Sequence, residues 1–350
     1  MKMHRLVLGS VGALVALASV LTTAHATNGN PINSGSQEKY TVAVMGDMPY
    51  GPAKIAAFPQ FIDAVNGDPK VDLVAHLGDI KNGSTLCTDE YFDSIRAQFD
   101  RLKDPLVYTP GDNEWTDCHR ANNGNYKPTE RLQQLRATFF PVAGETLGGR
   151  GKHVLTQAND PAHSAYVENV MWMESKAVFA TFDVQGSNND SEVTNPWTGA
   201  WAGSPDQHAE RVARDAANLA WLAKTFQVAN DNGAKGVVLM FQADMWDGTH
   251  SQLDAFDPFV KAIGDAAADF GKPVLMLVGD SHQFTVDHPY DGSASFQAKH
   301  PGFTPLAPNV TRVIVEGSTT VPNRFEYVRL TVNPKSAQLF SWERIDYYFN

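Results

Sequence analysis

Apolar runs that end abruptly on a Gly-Asp step recur along the chain. Tyr40–Met45 ends in Gly46-Asp47, Leu73–Leu77 in Gly78-Asp79, and Leu106–Thr109 in Pro110-Gly111-Asp112. Between them, Ile55–Val65 and Tyr91–Leu102 carry apolar residues at helical spacing, with Asp89 at a plausible N-cap position. Strands that are apolar along their whole length and alternate with amphipathic helices predict a parallel sheet covered on both faces. The three aspartates stand 32 and 33 residues apart, about one strand–helix–strand unit each.

The same pattern resumes further on. Val178–Phe182 reads as a strand ending in Asp183, and a long helix is expected from about Gln207 to Gln227, with Val212, Ala216, Leu219, Ala223 and Phe226 on its inner face. Gly236–Phe241 is a strand, Phe256–Phe270 a helix, and Val274–Val278 a strand ending in Gly279-Asp280. Alternating residues around Arg312–Val315, Tyr327–Leu330 and Gln338–Trp342 predict antiparallel strands in the tail. The polar stretches 117–128, 144–169 and 185–204 read as long loops, which in a compact domain more often serve function than decoration. There is no internal repeat, low-complexity tract or linker, so residues 40–350 are expected to form one α/β domain.

Composition narrows the function classes. Hydrophobic residues at 43% and charged residues at 19% exclude wholesale disorder. A charge of −11, from 28 basic and 39 acidic side chains, argues against nucleic acid or an anionic membrane as partner. Two cysteines exclude a disulfide-dense scaffold and a four-cysteine zinc site, while 11 histidines leave a metal site open.

The N-terminus changes how those cysteines are read. Lys2, His4 and Arg5 precede an apolar stretch from Leu6 to Leu21, and Ala24-His25-Ala26 follows it, the pattern of a signal peptide cleaved after Ala26. The alternative is an uncleaved anchor, but the stretch is short for a hydrocarbon layer of about 30 Å. Residues 27–39 read as a flexible leader, and the mature protein as periplasmic or secreted, with no membrane attachment after cleavage. Export places Cys87 and Cys118 in an oxidising compartment, each shortly after a strand end, which predicts a Cys87–Cys118 bridge; the alternative is two free buried thiols.

Ligands of open α/β sheets gather at the carboxyl ends of the strands. That edge collects Asp47, Asp79, Asp112 and Asp280, with Asn113, Glu114, Asp183, Gln242, Asp244 and His282 nearby. Any one Gly-Asp step has a plain reading, in which glycine turns the chain and aspartate caps the next helix. Four of them at strand ends, one continuing as Ser281-His282, point instead to carboxylates gathered around a cation.

The ordered series Gly46-Asp47-Met48-Pro49, Gly78-Asp79-Ile80, Gly111-Asp112-Asn113-Glu114 and Gly279-Asp280-Ser281-His282 resembles the calcineurin-like metallophosphoesterase superfamily. Those motifs read Asp-x-His, Gly-Asp, Gly-Asn-His-Glu/Asp, a histidine after a strand, and Gly-His-x-His. The segments Gly46–Tyr50 and Gly111–Cys118 look like an exported bacterial subgroup. The resemblance implies a four-layer α/β/β/α sandwich that holds two metal ions over the strand ends, where metal-bound water or hydroxide attacks a phosphate ester. By position it implies Asp47 and His282 on the first metal, Asp79 bridging, and Asp112, Gln242 (or Asp244) and Asp280 on the second.

This chain departs from the pattern at two telling places. Pro49 stands where Asp-x-His has its histidine, and Asn113 stands for the catalytic histidine. An amide is no general acid at neutral pH. An oxygen-dominated set suits Mg²⁺, Mn²⁺ or Ca²⁺ better than Zn²⁺, with one or two divalent ions bound. His119 is the candidate replacement acid, with an exposed loop histidine as the plain alternative. Arg120 could neutralise phosphate oxygens and Tyr50 could contact substrate or metal, against solvated and packed alternatives. His76, inside a strand, reads as a core histidine rather than a ligand, and Asn188, Asn189 and Asp190 as a polar turn after Asp183, with reach to the site as the alternative. Trp197, Trp201 and Trp246 could floor a pocket or pin loops. No Gly-x-Ser-x-Gly elbow or Gly-rich phosphate loop is present. The expectation is an exported metal-dependent phosphoesterase acting on a phosphate-ester small molecule or phosphorylated substrate. The alternative, favoured by Pro49 and Asn113, is a catalytically impaired binding protein of the same fold.

Overall fold

Runs that are apolar throughout become strands buried on both faces. The computed structural model describes residues 30–191, 204–250 and 252–350; the expected signal peptide and the Trp197 and Trp201 readings lie outside them. Tyr40–Met45 (β1), Leu73–His76 (β2) and Leu106–Tyr108 (β3) lie parallel. Arg324–Val332 (β11) pairs antiparallel with β1, and Phe340–Tyr348 (β12) with β11, which gives a five-stranded sheet in the order β12-β11-β1-β2-β3.

The second sheet has seven strands: Leu155–Thr156 (β4), Val170–Glu174 (β5), Ala177–Thr181 (β6), Gly236–Phe241 (β7), Val274–Val278 (β8), Thr285–Asp287 (β9) and Val310–Ile314 (β10), in the order β4-β5-β6-β7-β8-β10-β9. Its centre, β6-β7-β8-β10, is parallel. The expectation that the tail strands are all antiparallel is therefore corrected. β11 and β12 are, whereas β10 runs parallel to β8 and antiparallel only to β9. Alternation along a strand records its buried face but not the direction of its neighbour.

The alternation of β1 separates the layers. Val42 and Val44 face Phe179, Val238, Met240 and Leu275 of the other sheet. Ala43 and Met45 face three helices, Gly51–Asn66 (α1), Asp89–Phe99 (α2) and Pro128–Phe139 (α3). Helices Pro205–Asp231 (α4) and Asp257–Phe270 (α5) cover the outer face of the second sheet. The result is the expected four-layer α/β/β/α arrangement.

Two local expectations are also corrected. Thr88, not Asp89, caps α2, its hydroxyl accepting from Tyr91 N at 3.2 Å; Asp89 falls in the first turn and pairs with Arg131. α4 buries Arg214, Ala217, Asn218, Trp221, Leu222 and Thr225, while Val212 is 52% exposed, and of the expected face only Phe226 is buried. The inner face carries a buried charge and an amide, so an apolar-only reading of the helix selects the wrong stripe. At the other end of the chain, Ile32 pairs with Met173 of β5.

Candidate metal centre

The parallel strands of both sheets end on one edge of the molecule, and the chain turns sharply there. Asp47, Asp79, Asp280 and His282 adopt left-handed backbone conformations, with φ of 54°, 56°, 71° and 60°. L-residues rarely adopt such values, and where they persist they cluster at functional sites. Glycines make the close approach possible: a Cβ on Gly111 would stand 2.1 Å from Asp79 Oδ1, and one on Gly78 would stand 2.7 Å from Gly111 N.

Three of the expected residues meet closely. Asp47, Asp79 and His282 each offer a ligand atom, and these atoms lie within 4.8 Å of one another. His282 Nε2 is 3.3 Å from Asp47 Oδ1, and its Nδ1 engages Thr319 Oγ1 at 2.9 Å, which fixes the ring's orientation. Asp280 N donates to Asp47 Oδ1 at 3.0 Å. Tyr50 OH and Asn113 Nδ2 donate to Asp79 Oδ2 at 3.0 and 2.7 Å, and Asn113 N donates to Asp79 Oδ1 at 3.2 Å. Tyr50 also meets the His282 ring edge-on at 5.4 Å, so it is part of the cluster rather than a packed aromatic.

Asp112 and Asp280 stand beside this group. Ser187 Oγ donates to Asp112 Oδ2 at 2.8 Å, and Gln242 Nε2 lies 3.5 Å from Asp112 Oδ1. Gln242 Oε1 accepts from Gly186 N at 2.5 Å, and Asp280 Oδ2 accepts from Asp244 N at 3.1 Å. The carboxylate of Asp244 itself is held by Arg312, Ser281 Oγ and Trp246 N. Gln242 therefore faces the cluster, and the side chain of Asp244 faces Arg312.

Beneath the floor, Glu114 Oε1 accepts from Asp79 N at 2.9 Å, Gly111 N at 2.8 Å and Tyr108 OH at 2.7 Å, which ties two strand-end turns together. Burial pushes the Glu114 carboxyl up to about 7, against the pull of those donors. Burial also pushes Asp79 and Asp280 well above the ordinary carboxyl range, and the neighbouring carboxylates, Asp112 first among them, add to it. For His282, burial lowers the imidazole, but the charge of Asp47, its hydrogen bond to the ring and the charges of Asp112 and Asp247 together turn the net shift upward.

The donor set fits a divalent cation. Asp47 Oδ2 is buried and accepts no hydrogen bond among the described residues, and mutually repelling carboxylates are what a bound cation neutralises.

The cluster floors a cavity of about 650 Å³, with Arg120, Trp246 and His250 on its walls. Arg120 pairs with Asp117 at 2.6 Å and His250 with Asp247 at 3.2 Å. His119 does not reach this cavity. Its ring contacts Thr116 O at 2.7 Å and lines a separate hollow with Tyr126 and Lys127, because the 3₁₀ turn Thr116–His119 sends successive side chains to different sides. His76 is a core histidine, 1% exposed, with Nε2 3.1 Å from Met48 O. Asp183 joins Glu168 and Arg136 in a buried charge group away from the cavity lining.

The Cys87–Cys118 bridge is formed, and its two sulfurs lie 3.6 and 3.7 Å from Asn113 O, bracing the turn that carries Asp112 and Asn113. Asn188 and Asn189 bond Asp254 and Asp215, as turn residues do. Sequence reading missed Ser187 and Thr319. A hydroxyl in a loop carries no periodic signal, and only the fold brings these two beside an aspartate and a histidine.

The profile of the calcineurin-like phosphoesterase family matches residues 40–284. No curated protein matches the chain in sequence. Among solved structures, GAP50, "the anchor in the inner membrane complex of Plasmodium", aligns over 88% of this chain and 89% of its own at 8% identity and a TM-score of 0.44.

Proposed function

The chain belongs to the calcineurin-like phosphoesterase family, and on that premise we propose that it is an exported, metal-dependent phosphoesterase hydrolysing phosphate mono- or diesters. The observation that carries the reading is the convergence of Asp47, Asp79 and His282 within 4.8 Å of one another, with a buried Asp47 oxygen that has no partner among the described residues. Asp47, Asp79 and His282 would hold one divalent ion, and Asp112 and Asp280, with Asp79, would hold a second beside Gln242. The oxygen-rich donors favour Mg²⁺, Mn²⁺ or Ca²⁺. Cations bound there supply Lewis-acid charge neutralisation and activation of water.

The chain's own groups do the rest. Tyr50 and Asn113 fix the Asp79 carboxylate by donating to Oδ2. Arg120, on the cavity wall, binds phosphoryl oxygens and offsets charge as it develops. Protonation of the leaving group falls to an imidazole of the cavity. His282 is directed at Asp47, and His119 lies outside, so His250 takes the role. Its hydrogen bond with Asp247 raises its pKa above the ordinary histidine value and keeps a proton available on the ring. Export is supported by the bridge between Cys87 and Cys118, and no helix of the described residues is long and apolar enough to cross a membrane.

The rival reading, a binding protein that has lost the chemistry, rests on Pro49 and Asn113. Assaying the chain with aryl phosphate mono- and diesters plus Mn²⁺, Mg²⁺ or Ca²⁺ separates the two. We expect metal-dependent turnover that Asp79→Ala lowers at least about a hundredfold and that His250→Asn lowers more for alkyl than for aryl leaving groups. A chain that binds metal and turns over no ester is the binding protein.

A further inference from the structure

We propose that Gly186 and Ser187 complete the second cation position, the glycine by leaving the space for the ion and the serine by supplying a hydroxyl ligand. The inference rests on the metal-centre reading above and extends it to residues outside the motif series.

Gly186 is buried five residues past the end of β6, and its backbone φ is not in the left-handed range, so the turn does not require a glycine there. Space does. The point where a Cβ would stand is 2.9 Å from Asp112 Oδ2, 2.9 Å from Asp280 Oδ1 and 3.0 Å from Asp280 Oδ2. Two carboxylates, one from the end of each sheet, thus close on the bare Cα of a residue with no side chain. A methyl group placed there would meet three carboxylate oxygens and push them out of the positions from which they would hold a hard cation.

The next residues deliver a fourth oxygen. Ser187, Asn188, Asn189 and Asp190 all have positive φ, between 52° and 56°. Such a run is disfavoured for L-residues and persists only where neighbours hold it. Here Asn188 is fixed by Asp254 and Ala255 N, Asn189 by Asp215 and the buried Arg214, and Asp190 by Gln207. The held turn places Ser187 Oγ 2.8 Å from Asp112 Oδ2. Gln242 holds the glycine in place, because its Oε1 already accepts the Gly186 N–H at 2.5 Å and is not directed outward as a ligand. The second position is therefore built of carboxylate and hydroxyl oxygen alone, whereas the first includes the His282 imidazole.

Mn²⁺ alone is the probe, counted by equilibrium dialysis and by electron paramagnetic resonance, which distinguishes an isolated ion from a spin-coupled pair. The wild-type chain is expected to bind two ions per chain with a coupled spectrum. Gly186→Ala should bind one, with an isolated-ion spectrum and the tighter site intact. Ser187→Ala should weaken the second ion about tenfold to a hundredfold. Retention of the first ion and an unchanged near-ultraviolet circular dichroism spectrum report that the variants are folded. If Gly186→Ala does not fold, Ser187→Ala decides alone. Two ions at wild-type affinity in the decisive variant, or one ion in the wild type, overturns the inference. A wild-type chain that binds no ion overturns the metal-centre reading on which it rests.

Discussion

At His76 a single ring shows how strongly this core constrains charge. It is buried against Phe99 and Tyr108, and burial pushes its imidazole down to about 4. The folded protein therefore holds His76 neutral at a pH where the unfolded chain, near 6.5, already takes up a proton. Its contribution is fully present above about 6.5 and is lost as pH falls towards 4, amounting to about 3 kcal/mol. Urea unfolding of wild type and His76→Gln across that window should show a steeper loss in the wild type; equal slopes would mean that the ring charges in the fold without cost. Glu114 makes the complementary point, since one buried carboxylate oxygen organises the turns of both Asp79 and Gly111. Neither role is written in residue type alone. Sequence reading placed His76 in the core from its strand, but named Glu114 only as a neighbour of the aspartates.

At the scale of elements, α4 carries the clearest lesson. Its start is marked by a capping box, Ser204 with Gln207, and its helical spacing was evident in the sequence. Its inner face was not. Arg214 and Asn218 point inward because they bond the Asp183 carbonyl and, through Arg214, the turn that carries Ser187. Two substitutions measure the corrected face by denaturant unfolding. Val212→Lys, on the exposed side, should change stability by no more than about 0.5 kcal/mol. Trp221→Ala, on the inner side, should cost about 3–5 kcal/mol. The reverse order would restore the face centred on Val212. The strands were legible nearly to the residue, β1, β7 and β8 among them, because a strand buried on both sides has no polar positions to misplace.

Across the whole molecule, two sheets aim their strand ends at one edge and crowd carboxylates there. Burial, and then the crowding of neighbouring carboxylates, raises Asp79 and Asp280, and a cation relieves both, so ligand linkage should be visible as stability. Thermal unfolding with Mn²⁺ at about a hundred times its dissociation constant should show about 2.7 kcal/mol of added stability per site, reversed by EDTA. No shift in melting temperature would mean that the edge holds no ion.

By itself the sequence determined the strand–helix alternation, the Gly-Asp ends of four strands, the disulfide pairing and the family, because these are written in local patterns and short motifs. Only the tertiary structure decided which donors meet. It turned Gln242 rather than Asp244 to the cluster, took His119 away from the cavity, and set Gly186 against Asp112 and Asp280 and Ser187 beside Asp112. The physical reason is that a ligand set depends on where chain segments more than a hundred residues apart turn at the sheet edge, and those turns are fixed by the packing of two sheets against each other rather than by the residues on either side of each ligand.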